Sequence, residues 1–322
     1  MQPQFHYGID VDKCKLNVNL YGEESVTQID NQAKPIKAWL NTLPANSRIG
    51  VESTSHYHEL LARLAKTAGQ QVFVLNPRDV RDYARGIGRR GKTDKVDARV
   101  IARYVAKEGD ELHPYVPRTP EQQAMQVLQQ QRGVLKSSAT QLRQALTERG
   151  PMLPQFKPLM REMATALAKV DRQIKALLAN NESQWALFQR LMTVPGIGPV
   201  VAACLVHHLE RWPLKRSDAW IACTGLDPRP ADSGQKIGRR RLSKRGPGVL
   251  RQMLFMAAMS FARSPLGKPT YQHQRHHKQL SSTAAYNVLA RLIARIAWAL
   301  RKSGKNFDPQ FFLATHARTI MA

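Results

Sequence analysis

The first hundred residues alternate hydrophobic and polar positions in short segments, and then change to helical spacing. Three partly alternating segments separated by turn residues predict an antiparallel meander of strands, over residues 4–11, 15–21 and 25–29. The pattern continues as helix, strand, helix and strand, over residues 33–43, 48–52, 57–68 and 71–76. Two further helices are expected, one that begins at Pro77 and one that Thr93 can cap.

This βββαβα order, followed by helices, is the layout of ribonuclease-H-like domains, so the fold class predicted for residues 1–110 is α/β. Three prolines within residues 111–120 indicate a linker. Beyond it, apolar residues recur at intervals of seven, or of four and three, at Leu128, Leu135, Leu142, Met163, Leu167, Val170, Ile174 and Leu177. Such a seam is typical either of two helices packed on each other or of a helical arm that dimerises, and both interpretations stay open.

From residue 191 the chain is again helical, with apolar helices on both sides of the sequence PGIG. The predicted organisation is therefore an α/β domain over 1–110, a linker and coiled-coil helices over 111–190, and a mainly α-helical domain over 191–322. The last domain contains a dense basic run and a segment that resembles a helix-hairpin-helix.

Charge changes the picture most. The chain has 49 Lys and Arg against 24 Asp and Glu, a net charge of +25, which favours nucleic acid as partner over anionic lipid or mere solubility. No apolar run approaches the roughly 20 residues needed to span a bilayer. The N-terminus lacks the pattern of a signal peptide, and the three cysteines predict no disulfide framework, so we expect a reducing cytoplasm and no membrane.

Four carboxylates stand out against this positive background. Asp10 and Glu52 each end a predicted strand, while Asp94 and Asp97 lie three apart and so share one helix face. Each alone fits turn chemistry, a helix dipole or an ion pair, but together they are typical of a site for hard divalent ions that assist phosphodiester displacement. Neighbouring basic residues would hold the nucleic-acid backbone: Lys92, Lys95 and Arg99.

A second candidate is the glycine pair Gly196 and Gly198, between two apolar helices. The glycines favour a tight hairpin, and the amides at the start of the next helix suit a phosphate group. This arrangement resembles the helix-hairpin-helix, a module that binds the DNA backbone. A plain turn between two helices is the alternative.

The third candidate is the segment from Gly234 to Arg251, which has seven basic residues and no acidic one. Such a run can follow phosphates, and we predict contacts from Lys236, Arg239, Arg240, Arg241, Lys244 and Arg245. Ser233, just before it, could act as a nucleophile with arginines stabilising the phosphorane. On spacing alone Ser243 competes with it, and serine before glycine is also ordinary turn chemistry.

Taken together, the motifs YGIDVDK, GVES, KTDKVDAR, VPGIGPVVA, GLDPRPADSG and RLSKRG resemble those of the DEDD-type transposases of insertion sequences. That family includes pilin-gene invertases and bridge-RNA-guided recombinases. The match runs in order over nearly the whole chain. It implies a RuvC-like N-terminal domain, a coiled-coil connection and a C-terminal transposase domain.

The resemblance also assigns roles. It implies that Asp10, Glu52, Asp94 and Asp97 hold Mg²⁺, for which Mn²⁺ can substitute, and that Ser233 attacks DNA to form a covalent phosphoserine. The ester would conserve the bond energy for rejoining. The sequence departs from relatives at residues 230–232, Pro-Ala-Asp, where they often carry a more polar or aromatic stretch, so Ser243 stays open as the nucleophile.

The partners that the resemblance implies are element-end and target DNA, a structured guide RNA and further copies of the chain. One subunit's acidic domain would complete a site with the serine domain of another, in a bacterial or archaeal nucleoid. The alternatives are a RuvC-like nuclease that only hydrolyses and a non-enzymatic DNA-bending protein. A sugar-kinase-like enzyme is disfavoured, because its phosphate loop needs small residues where this chain has Val11-Asp12-Lys13.

Overall fold

The predicted linker contains the boundary between two units in the computed structural model, Met1–Pro117 and Arg118–Ala322. The structure describes residues 5–53, 55–88, 94–212, 214–229, 238 and 240–321, without the side chains of residues 94–96 and 316–321. None of the helices in these ranges is both long and apolar enough to cross a membrane. The division into three domains stays a prediction.

The N-terminal unit is a mixed sheet with helices. Its elements are β1 (His6–Val11), β2 (Lys15–Leu20), β3 (Thr27–Asp30), α1 (Ala33–Leu40), β4 (Arg48–Glu52), α2 (His58–Thr67), β5 (Gln71–Leu75), α3 (Pro77–Gly86) and α4 (Asp94–Glu108). The strand order is β3-β2-β1-β4-β5. The first three strands form the predicted antiparallel meander, and β4 pairs in parallel with both β1 and β5. The predicted α/β class is confirmed, and the topology is consistent with a RuvC-like fold.

The two faces of this sheet have different apolar clusters because strand residues alternate in direction. Ile9 and Val51 pack in the cluster that includes residues of α1 and α2. On the opposite face, Phe73 and Leu75 pack with Ile101 of α4. The sheet is therefore covered on both sides, and the face of α4 is the one that concerns the candidate site.

The C-terminal unit is mainly helical. Its elements are α5 (Pro120–Thr147), α6 (Lys157–Ala179), α7 (Glu182–Met192), α8 (Pro199–Arg211), α9 (Ser217–Thr224), β6 (Pro228–Arg229), β7 (Arg241–Leu242), α10 (Gly248–Phe261), α11 (Lys268–His276), α12 (Ser282–Ser303) and α13 (Pro309–Met321). The helix α5 begins earlier than the prolines suggested. Thr119 and Gln122 form a capping box around its first turn, with Pro120 in a position where its missing N–H costs nothing.

The first two helices of this unit pack on each other within one chain. The Arg132 Nε of α5 donates to the Asp171 Oδ1 of α6 at 2.5 Å. Most residues of the predicted seam are half-buried, and Ile174 is buried against the core of α7 and α8. The interpretation of the seam as two packed helices thus accounts for these contacts, while an arm that dimerises stays a prediction.

Candidate active site

The helix α4 runs antiparallel to β1 and β4, and close contacts at three glycines define its direction. A Cβ on Gly109, just after α4, would lie 2.8 Å from Arg48 Nη1 at the start of β4. A Cβ on Gly50 would lie 3.0 Å from Ile101 Cγ2, and one on Gly8 would lie 2.7 Å from Ala102 Cα. The N-terminal end of α4 therefore lies towards the ends of β1 and β4.

The carboxylates that the sequence singled out lie at this edge. Asp10 and Glu52 are two residues beyond Gly8 and Gly50, so their side chains leave the sheet on the face that α4 covers. The parallel register pairs Gly8 with Gly50, which places Asp10 and Glu52 side by side, about 5 Å apart by strand spacing. Both are half-buried.

The acidic end of α4 lies at the same level. Two strand residues advance about 6.6 Å, and a helix covers that distance in about four residues. Going back four residues from the Ala98–Ala102 contact with Gly8 leads to the segment from Asp94 to Asp97. Asp94 is the first residue of α4, and Asp97 is half-buried.

The four acids are not seen as a formed metal centre. Across the residues that the structure describes, no group of three or more His, Cys, Asp or Glu side chains is arranged to hold a metal ion. The Asp94 side chain lies outside that description. The backbone thus brings Asp10, Glu52 and Asp97 to one edge of the sheet, and their action as a metal site stays a prediction.

Asn17 is a polar residue at this site that the sequence reasoning missed. It pairs with Asp10 across the β1–β2 ladder, so the two side chains share a face. Only 7% of Asn17 is exposed, and its Oδ1 accepts a hydrogen bond from Gln28 Nε2 at 3.2 Å. The signal in the sequence was an asparagine between the apolar residues Leu16 and Val18, in the strand whose antiparallel register sets Asn17 opposite Asp10.

The basic residues proposed beside the acids are only partly described. Arg99 is exposed and donates a hydrogen bond to the backbone oxygen of Glu24. Lys92 lies outside the described residues, as does the side chain of Lys95 in the first turn of α4. A role for these three in holding nucleic acid stays a prediction.

The glycine pair of the PGIG turn has two distinct environments. Gly196 has φ +88°, and a Cβ there would lie 2.6 Å from Phe261 N and 2.7 Å from Ala257 O of α10. The close contact that requires glycine at position 196 is therefore with the protein's own helix α10. Gly198 is the N-cap of α8, and a Cβ there would meet nothing within 4 Å. Of the two, Gly198 is the one with space for a ligand.

The serine segment is flanked by a short antiparallel ribbon that sequence reasoning did not predict. Pro228 pairs with Leu242, and Arg229 with Arg241. Residues 230–237 and 239 lie outside the described residues, and these include Ser233, Lys236 and Arg239. The remaining predicted contacts of this basic run are exposed: Arg240, Arg241, Lys244 and Arg245.

Ser243 holds the base of this ribbon. It is 4% exposed, and its Oγ donates a hydrogen bond to Asp227 Oδ1. The backbone N of Ser243 donates to the Asp227 carbonyl oxygen at 2.9 Å, and Lys244 N donates to Gly225 O at 3.0 Å. The hydroxyl of Ser243 is thus buried and already engaged by a carboxylate.

Comparison with known proteins gives the family. A DEDD-type family model described as a transposase matches residues 7–158, and one described as the transposase IS116/IS110/IS902 family matches residues 188–277. The two matched ranges together make up about three quarters of the 322 residues and contain both parts of the candidate site. The chain belongs to this family of insertion-sequence transposases.

Relatives match over most of the chain. The transposase for insertion sequence element IS1328 of Yersinia enterocolitica is 27% identical over 94% of this chain and 98% of its own length. The pilin gene-inverting protein of Moraxella bovis is 25% identical, over 94% of this chain and 97% of its own. A probable family 20 transposase of Pseudomonas aeruginosa is 26% identical over 77% and 81%. The chain is accordingly a DNA-cleaving enzyme of the transposase and invertase type.

Proposed function

We propose that this transposase cuts and rejoins DNA strands through a covalent phosphoserine at Ser233, assisted by Mg²⁺ or Mn²⁺ at Asp10, Glu52, Asp94 and Asp97. The observation that supports the proposal best is the geometry of the sheet edge. Asp10 and Glu52 end adjacent parallel strands on the face of α4, at the level where that helix begins.

The chemistry of these donors fits a hard divalent cation. Carboxylate oxygens from two neighbouring strands and one helix turn are the ligand type that Mg²⁺ takes in phosphoryl-transfer sites. When bound, such an ion stabilises negative charge on the oxygens of a phosphodiester. Asp10 and Glu52 would hold it from the sheet, and Asp94 and Asp97 from the helix.

The serine step conserves one ester bond. The Ser233 oxygen loses its proton and bonds to phosphorus, while the bond from phosphorus to a deoxyribose oxygen breaks and that oxygen takes a proton. Attack by the hydroxyl of a second DNA end on the phosphoserine reverses the exchange, so rejoining needs no ATP. The burial of Ser243 and its hydrogen bond to Asp227 favour Ser233 as the nucleophile.

The net charge of +25 supports the nucleic-acid partners, which we propose to be the element ends, the target and a structured guide RNA. The exposed side chains of Arg240, Arg241, Lys244 and Arg245 lie beside the serine segment. We further propose that the active form is a homo-oligomer, as in the resemblance drawn from the sequence motifs.

The test is to trap the intermediate. The full-length protein is incubated with Mg²⁺ and duplex DNA that carries the ends of its own element, and denaturation-resistant adducts are digested and mapped by mass spectrometry. We expect a nucleotide on the peptide that contains Ser233. Ser233→Ala should abolish both adduct and strand exchange, whereas Asp10→Asn should abolish the adduct but not DNA binding.

A nuclease that only hydrolyses is the rival, since the acids at the sheet edge would suffice for it. It predicts that Ser233→Ala cleaves at the parental rate without any adduct. Ser243→Thr is the matched control, because threonine keeps the hydroxyl group that donates a hydrogen bond to Asp227. An adduct on Ser243 instead would reassign the nucleophile.

A further inference from the structure

Two tyrosines stack where α11 packs on α12. The ring centroids of Tyr271 and Tyr286 are 4.7 Å apart, with an interplanar angle of 21°. Phe255 of α10 meets Tyr286 edge-on, at 5.6 Å and 73°. Both tyrosines are half-buried, so part of the aromatic pair faces solvent.

The polar rim of this pair is positively charged. Hydrogen bonds from Tyr286 and Ser282, together with the charge of Arg275, hold the pKa of the Tyr271 phenol below its usual value. Arg263 is exposed and lies close enough to act electrostatically on Tyr286. Two cations therefore border two stacked aromatic rings.

No carboxylate of these three helices offsets that charge. The sequence contains no Asp or Glu between Asp232 and Asp308, a stretch that includes all of α10, α11 and α12. Further exposed bases follow on or just after α11: Lys268, His276, His277 and Lys278. A ligand that suits this surface is anionic and also gains free energy from contact with the aromatic rings.

Packing of α11 on α12 accounts for the contact between the rings. It does not account for a rim of phenol hydroxyls and arginines on helices that contain no carboxylate, because an apolar pair would pack the helices without placing polar groups there. Unpaired nucleotides match both properties: a base stacks on an aromatic ring and its phosphate pairs with arginine. A duplex offers phosphates but keeps its base faces covered.

We infer that Tyr271, Tyr286, Arg263 and Arg275 form a platform for unpaired nucleotides of RNA or single-stranded DNA. The inference rests on the proposed function in that the protein handles nucleic acid, and it adds a site remote in sequence from the serine segment. Base stacking supplies the preference for single strands, and the arginines supply the attraction for phosphate.

The test uses the full-length protein and fluorescent 12-nucleotide oligouridylate and oligodeoxyuridylate, with anisotropy over a series of salt concentrations. Stacking is worth about 1–3 kcal/mol per base, so Tyr271→Ala should weaken single-strand binding about 5- to 150-fold. Its slope against salt should not change. The matched variant Tyr271→Phe keeps the ring and should bind within about twofold of the parent.

The arginine makes the complementary prediction. Arg263→Gln should reduce the slope of log affinity against log salt by about 0.7, the value for one phosphate contact on a single strand. Binding of a perfectly paired duplex should be unchanged in Tyr271→Ala. A 4-thiouridine cross-link on the unmodified protein should map to the peptide of Tyr271 or Tyr286, which tests the site without any substitution.

Parental single-strand affinity in Tyr271→Ala, or cross-links confined to other peptides, would overturn the inference. So would an equal loss of duplex and single-strand binding, because that indicates a structural defect. Tighter binding of oligouridylate than of oligodeoxyuridylate, which differ only at the 2′-hydroxyl, would assign the platform to RNA, and the reverse to DNA. Adduct formation at Ser233 is measured separately, so the proposed function can stand or fall independently.

Discussion

Gly8 is the position where one methyl group should test the architecture of the candidate site. A Cβ there would come into contact with Ala98 O and Ala102 N, and would lie 2.7 Å from Ala102 Cα. All three atoms are backbone atoms of α4, which cannot move aside as a side chain can. Because non-bonded carbons prefer 3.5–4.0 Å, the contact with Ala102 Cα alone requires α4 to retreat by about 1 Å in Gly8→Ala, and the two closer atoms require more.

The retreat should weaken packing along the whole inner face of the helix. Ala98, Ile101, Ala102 and Val105 are completely buried there. Inserting a methylene-sized group into such a core costs about 1–3 kcal/mol, and rigid backbone neighbours favour the upper half of that range. Since α4 also carries Asp97, a proposed metal ligand, we expect metal-dependent DNA cleavage to fall by at least about tenfold.

The matched control is Gly50→Ala on the next strand. Its Cβ would meet Val105 Cγ2 and Ile101 Cγ2, which are ends of side chains. Val105→Ala removes one of them, so the double variant Gly50→Ala/Val105→Ala should cost less free energy of unfolding than the sum of the two single changes. No such relief should be available to Gly8→Ala. Urea unfolding with a common m-value measures the parent and all four variants.

Parental stability and cleavage in Gly8→Ala would refute this reasoning, because α4 would then not lie against β1 as closely as the geometry requires. An additive double variant at Gly50 would equally contradict the assigned contact with Val105.

Three further predictions concern single side chains. Lys244 has φ +55°, a conformation that glycine adopts without strain. Lys244→Gly should therefore raise the free energy of unfolding in urea by up to about 1 kcal/mol. It should also lower the slope of log duplex affinity against log salt by about 0.9. Asp97→Asn should abolish metal-dependent cleavage but keep DNA binding in a gel-shift assay, whereas Asp82→Asn, on the exposed side of α3, should keep both cleavage and binding. Burial lowers the pKa of His207 to about 4 and that of His208 to about 3, so both resist protonation in the folded state. The free energy of unfolding should therefore be highest above pH 6.5 and should fall towards pH 4 by up to about 3 kcal/mol per histidine. His208→Phe keeps an aromatic ring against Trp212, and it should make the free energy of unfolding depend less on pH.

The sheet could be predicted because its strands alternate clearly, with Ile9 and Val51 pointing to one face and Asp10 and Glu52 to the other. The start of α5 was harder to predict, because it coincides with the last of the three linker prolines. Prolines there indicated a linker, although Thr119, Pro120 and Gln122 together form a helix start. Proline is compatible with both, and only the cap distinguishes them.

The ribbon of β6 and β7 could not have been predicted from periodicity. Each strand has two residues, and the pairing depends on Asp227 and Ser243, which are sixteen residues apart. Spacing alone made Ser243 as visible a nucleophile as Ser233. The buried hydrogen bond to Asp227 provides the information that spacing lacked, since a hydroxyl enclosed by its own fold must first leave a carboxylate before it can reach DNA.

The glycines of the strands carried more information than the sequence reasoning used. In a strand interior, glycine weakens the sheet unless another backbone must approach closely, and Gly8 and Gly50 stand two residues before Asp10 and Glu52. Because Gly8 and Gly50 have no side chains, α4 can lie close to the sheet. This close contact therefore sets the position of Asp97 relative to the ends of the strands. A site built this way depends on helix position as much as on acid identity, so substitutions that move α4 should impair cleavage even where every carboxylate is kept.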